Sequence, residues 1–316
     1  MNSIRERIAE FLELGSAPDR PCIQIVERES DDGYTRTLIR YTVPDGDVVE
    51  AFVFEPVRHN AKAGVLVLHQ HNSQWMIGKS EVAGLAGDPM QAFGPALARH
   101  GVTVLAPDAV GFESRLASAG WGTSLAPRLT RPGGSADGWV QYYNQMAYRL
   151  VQGDLLIRKM LADCMAAISV MQSITSERQV GAIGHSLGGM LALFLAALDT
   201  RVAFTCSSGA VASYQHKLAH GTALEMSLII PAFAKQFDID DVVRCIAPRR
   251  LFVVSSADDS LSADADEVLR RASTTFEDMN CRDCLEHMRG RGGHELDKDR
   301  FDSIVSWTVA QCQNAG

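Results

Sequence analysis

The sequence predicts an α/β fold with a doubly wound, mostly parallel sheet. Three observations carry this. Continuous apolar runs of strand length recur along the chain, as they do in strands covered on both faces. Segments with helical periodicity separate those runs. A hairpin signal precedes the first run, so antiparallel edge strands are expected as well.

Taken in order, MNSIRERIAEFLELG reads as an N-terminal amphipathic helix; its recurring charges rule out the apolar core of a signal peptide. Residues 35–56 read as two strands around the turn PDGD. AGVLVLHQH (63–71) and VTVLAPDAV (102–110) read as buried strands, with a helix closed by Gly101 between them. From Gly111 to Gly138 periodicity fails, and Gly, Ser and Pro dominate. A loop of that length inside a compact fold is usually functional. A helical region follows over 139–173, then the strand and helix of QVGAIGHSLGGMLALFLAALD (179–199) and a strand over 201–210. Residues 211–248 mix helix and loop. RRLFVVSSADD (249–259) is a strand ending in acids, and a helix covers 262–279. CLEHMRGRGGHE (284–295) runs from a short strand into a Gly-rich turn, and a last helix spans 298–312.

The chain has 316 residues, 46% hydrophobic and 22% charged, an ordinary globular composition able to bury a core without staples. No composition break divides it, so residues 1–316 read as a single domain. The excursions 111–140 and 211–248 are the candidates to cover a site. The net charge is −8 with no basic stripe, which argues against nucleic acid as a partner. No apolar run reaches the roughly 18–20 residues that cross a bilayer, so no membrane association is expected. A cytoplasmic location follows from these readings, and a homodimer is compatible with them. The seven cysteines are an odd count and read as reduced thiols. Cys281 and Cys284 form a C-x-x-C, but no second pair or suitably spaced histidines complete a metal site.

One motif carries chemistry. G-x-S-x-G alone is a weak signal, but Gly184-His185-Ser186-Leu187-Gly188 follows an apolar strand and opens an apolar helix. That is the setting of a nucleophile elbow, in which a sharp turn strains the serine and crowds the positions two before and two after it. An ordinary turn with a serine helix cap is the plainer reading, and a phosphate loop fits neither Gly-rich signature. Such a serine needs a base and an acid, following it in the order acid, histidine. The strand ending SSADDS offers Asp258 and Asp259. Asp258, nearer the strand, is the expected acid. His294, after two glycines, is the expected base, with His287 a weaker choice inside its strand. Asp264 and Asp266 suit the first turn of a helix. His185 is not the base, since the turn is expected to point it away. Catalysis also needs donors for an oxyanion. The backbone N–H of Leu187 is one, and that of His71, with Asn72 next, is the second. His69 and His71 lack a neighbouring acid and make a poor zinc site. Trp75, Met76, Trp121, Tyr142 and Tyr143 are candidates to line a substrate pocket, core packing being the plainer role for each. Arg115, Arg128 and Arg131 lie in or beside the irregular loop, where solvation is the plainer role and an anionic substrate the sharper one.

GHSLGG, SADD and GGHE together resemble the triad of the α/β-hydrolase superfamily, over about residues 35–312. LVLHQHN, GKSEVAGLAG and VTVLAPDAVGFESR resemble its dienelactone hydrolase and acetyl-xylan-esterase-like branches. Two features depart from that branch: a serine replaces the cysteine of dienelactone hydrolases, and His69-Gln70 replaces the usual His-Gly. The resemblance implies hydrolysis of a small-molecule ester through an acyl-enzyme, with no cofactor. Amide, lactone or carbon–carbon bonds stay open on the same triad, as does a ligand-binding protein on the same fold.

Overall fold

The computed structural model describes residues 3–16, 21–116, 135–175 and 179–314, except the side chains of 135–137. Trp121, Arg128 and Arg131, and most of the irregular 111–138 loop, lie outside the described residues. The strands are β1 Ile23–Asp31, β2 Tyr34–Thr42, β3 Val48–Pro56, β4 Ala63–Leu68, β5 Val104–Pro107, β6 Gln179–His185, β7 Val202–Ser208, β8 Arg250–Ser256 and β9 Leu285–Gly290. They form one sheet in the order β1-β2-β3-β5-β4-β6-β7-β8-β9. The first three strands and the β3–β5 pairing are antiparallel; from β5 to β9 every pairing is parallel.

The continuous apolar runs follow from burial on both faces. In β4, Leu66 and Leu68 pack into the core under the helices Leu156–Ile174 and Leu187–Leu198. Val65 and Val67 point the other way, towards Phe93, Leu97, Ile304 and Val305 of the helices Phe93–Arg99 and Lys298–Asn314. Successive side chains alternate between faces, so both parities must be apolar.

The edge holds one strand more than expected. β1 is exposed along nearly its whole length, so it carries no buried alternation, and main-chain pairing to β2 holds it. Its signal is the Asp32-Gly33 dipeptide, where Gly33 adopts φ 87° between paired Asp31 and Tyr34. The helical region expected over 139–173 is two helices, Ser135–Val151 and Leu156–Ile174. Gly153, with φ 78°, separates them. Because β4 to β9 are parallel, their C-terminal ends open on one edge of the sheet, where ligands bind in such folds.

Candidate active site

Ser186 stands between β6 and the helix Leu187–Leu198, at φ 54° and ψ −121°. That conformation is strained for a residue with a Cβ. Its own N–H bonds Ser208 O at 2.8 Å, so the neighbouring strand β7 holds the turn. The glycines are dictated by close approach. A Cβ on Gly188 would lie 1.9 Å from Leu68 O, and one on Gly184 would lie 2.4 Å from the Gly188 carbonyl carbon.

His294 reaches this serine from beyond β9. Its Nε2 lies 2.8 Å from Ser186 Oγ and its Nδ1 lies 3.1 Å from Asp259 Oδ2. The carboxylate that meets His294 is therefore Asp259 and not Asp258, the one expected from the sequence. After β8 the chain continues its parallel pairing: Ala257 N–H bonds Gly290 O, and Asp258 N–H bonds Gly292 O. That pairing leaves Asp258 exposed and turns the next residue inward, so Asp259 is buried. Asp259 also accepts from Ser262 Oγ at 2.7 Å and from Leu261 N–H at 2.9 Å. Burial pushes its pKa up, but bonds from His294 and Ser262 outweigh burial and hold it below the usual carboxylate range.

His185 does not point away from this group. Its ring centroid lies 4.8 Å from that of His294, with 35° between the planes, and its Nδ1 lies 2.9 Å from Ser208 Oγ. Burial first, and the neighbouring His294 second, push its pKa down to about 3, so it stays neutral and cannot serve as a base near pH 7. His287 is tied up within β9, facing Ser255 Oγ at 2.8 Å and Asp266 at 3.2 Å.

Two clamps hold the surrounding loops. Arg300, buried under the His294 loop, donates to Gly293 O at 3.1 Å, to Glu295 O and to Asp297 at 3.0 Å. The loop after β4 is held by His69, whose Nδ1 donates to Gln70 O while Nε2 accepts from Ala109 N–H at 3.0 Å. Lys79, also buried, ties the same loop to Asp108 at 2.8 Å and to Glu113 at 2.7 Å. Arg300 belongs to no short motif, and Lys79 stands in GKSEVAGLAG, which does not itself show what the lysine pairs with. The only signal for Arg300 in the sequence is a charge beside a site loop.

His71 packs edge-on against Trp75 and Phe112, and its Nδ1 accepts from Ser73 N–H. Burial, with His69 nearby, pushes its pKa down to about 4, so it is neutral at pH 7. Asn72 is exposed, and Trp75 is buried beside Gly138. Tyr142 is fully buried and donates to Glu225 Oε1 at 2.5 Å. Met76 is exposed, and Tyr143 stacks on Trp139 at the surface. Arg115 is buried between Asp47 and Asp163, a structural bridge away from Ser186.

A cavity open to solvent lies beside Ser186, lined also by Met190, Lys217, Glu225, Leu228 and Leu261. Of the two excursions, 211–248 supplies three of these residues. None of Asn72, Trp75 and Tyr142 lines it directly; Tyr142 acts on it through Glu225. Among the described residues no group of three or more His, Cys, Asp or Glu could hold a metal ion, and no helix is long and apolar enough to cross a membrane.

A parallel sheet with a strained serine at a strand-to-helix turn, bonded to a histidine that is bonded to a buried carboxylate, defines a nucleophile-elbow α/β protein. The profile of the alpha/beta hydrolase family matches residues 65–308, and the chain belongs to that family. It is 25% identical over 296 residues to YtaP of Bacillus subtilis (strain 168), a protein provisionally named a hydrolase, covering 90% of this chain and 91% of that one. Among solved structures, a provisionally named acetyl xylan esterase from Bacteroides fragilis is similar at TM-score 0.71 and 17% identity, over 90% of this chain and 73% of that one. A glucuronoyl esterase from Solibacter usitatus is similar at TM-score 0.68 and 16% identity, over 98% of this chain and 92% of that one.

Proposed function

We propose that the protein is a serine hydrolase that cleaves small or medium carboxylic esters through an acyl-enzyme. One observation carries the reading: the unbroken hydrogen-bond chain Ser186–His294–Asp259 at a cavity. Ser186 Oγ attacks the ester carbonyl carbon as its proton passes to His294 Nε2. Asp259 holds the imidazole in the required tautomer and stabilises the imidazolium. The tetrahedral intermediate collapses, and the leaving alkoxide takes the proton and departs as the alcohol. Water then attacks the acyl-enzyme with His294 again as base, releasing the acid and restoring Ser186.

The oxyanion is stabilised by the backbone N–H groups of Leu187 and His71. Leu187 opens its helix, so its N–H has no acceptor within it. The N–H of His71 has no acceptor among the described residues. Met190, Leu228 and Leu261 offer an apolar wall for the acyl or alcohol chain. The segment 211–248 serves as the cover, and the chain works as a single domain with no metal or organic cofactor. At 16–17% identity the named esterases among the structural neighbours support the fold, and the bond type rests on the Ser186–His294–Asp259 chain.

The test is Ser186→Ala assayed on p-nitrophenyl acetate, with a fluorophosphonate probe on both proteins. The expected outcome is turnover and labelling of the wild type and loss of both in the variant. Unchanged turnover by the variant would remove Ser186 from the mechanism, and a wild type that neither turns over nor labels would leave a binding protein.

A further inference from the structure

The cavity beside Ser186 holds a cation that this mechanism does not use. Lys217 lies on the helix Tyr214–His220, lines the cavity and is only 5% exposed. Its backbone is bonded within and at the end of that helix, but its ammonium makes no hydrogen bond or ion pair with the described residues. The two other buried lysines differ. Lys79 holds Asp108 and Glu113, and Lys159 holds Asp47 and Asp163 at 3.0 Å each. Lys79 and Lys159 are paired with carboxylates, whereas Lys217, beside Ser186, has no such partner among the described residues.

Nearby carboxylates are committed elsewhere. Asp259 serves His294 and Ser262. Asp264 accepts from Ser213 N–H at 3.0 Å and from Ser213 Oγ at 2.5 Å. Glu225, which also lines the cavity, accepts from Tyr142 and from Ser227 N–H and Oγ. An ammonium drawn largely out of water with no carboxylate bonded to it is costly, and burial does push the Lys217 pKa down, although Asp259 and Asp264 pull it up. Glu225 is likewise pushed towards its neutral form by burial. A ligand bearing an anion would satisfy Lys217 without displacing any existing pair.

We propose that Lys217 is a specificity residue, and that the preferred substrate is an ester carrying a carboxylate close to the scissile bond, which pairs with Lys217 on binding. This rests on the esterase reading above. The apolar residues around Ser186 would face the short chain that joins the two groups.

Two pairs of probes test it. One compares the p-nitrophenyl hemiester of glutaric acid with p-nitrophenyl butyrate, placing the charge on the acyl side. The other compares the butyrate ester of 4-hydroxybenzoate with phenyl butyrate, placing it on the alcohol side. The wild type is expected to favour the anionic member of at least one pair in kcat/KM. Lys217→Met should lower that anionic-to-neutral ratio at least tenfold, chiefly through KM, and Lys217→Arg should restore part of it. Because the ratio is internal to each enzyme, a partly folded preparation does not mimic the effect. Lys217→Met should also melt no lower than wild type, since it removes an unpaired buried charge; a lower Tm points to a structural role and counts against the proposal. Turnover of the neutral esters with no anionic preference in either pair overturns this inference alone. Failure of the wild type on all four, with no fluorophosphonate labelling, overturns the esterase reading and this inference with it.

Discussion

A carboxylate can fix an imidazole tautomer only if its own position is fixed. Asp259 meets that condition through Ser262 Oγ and Leu261 N–H; Asp258 is exposed. Asp259→Asn keeps the shape but presents the wrong hydrogen-bonding partner to His294, and kcat should fall by about 10⁴. Asp258→Asn should change kcat by no more than a few fold. Steady-state kinetics of the two variants decide between them, and a larger loss from Asp258→Asn would reverse the assignment.

At the scale of elements, what was legible in the sequence was what is local. The elbow could be read because its strand, strained turn and helix are consecutive, and because Gly184 and Gly188 answer a crowding that the turn itself creates. Gly188→Ala should accordingly abolish activity and lower Tm, since its Cβ meets a backbone carbonyl that no rotamer change can clear. Overpacking in a rigid place typically costs about 1–3 kcal/mol or more. A variant with wild-type Tm and activity would mean that the elbow has room to shift. The choice of acid was not legible, because the direction of the chain after β8 is set by pairing to Gly290 and Gly292, more than thirty residues away. The place of His185 was hidden for a similar reason: Ser208, on the next strand, sets its ring against His294. β1 was missed because exposure erased its alternation, although Asp32-Gly33 marked the turn. The break in the long helical region was written as Gln152-Gly153-Asp154.

For the whole molecule, two histidines tie stability to pH. His71 and His185 are held neutral, with pKa values pushed down to about 4 and about 3. Unfolded, each takes a proton below about pH 6.5. Between pH 6.5 and 4 the unfolded state therefore binds more protons than the native state, and stability falls as pH falls. The limit is about 1.4 kcal/mol per pH unit for each histidine, with less from the half-buried His71. Asp259 acts with the same sign at lower pH: its lowered pKa contributes stability above the ordinary carboxylate value that is lost only in stronger acid. Urea unfolding at pH 7 and pH 5 should show the weaker fold at pH 5, and His185→Gln should reduce the difference. Equal stability at the two values would show that these rings are not held neutral.

The six residues of β9 are all half-buried or exposed, whereas β4 and β5 are buried throughout. His294 hangs from this outermost strand, and Ser186 sits near the middle of the sheet. Strands with little buried area fray first under mild stress. Inactivation should therefore precede denaturation: on adding urea, turnover should be lost at a lower concentration than the helical circular dichroism signal, and should return at once on dilution.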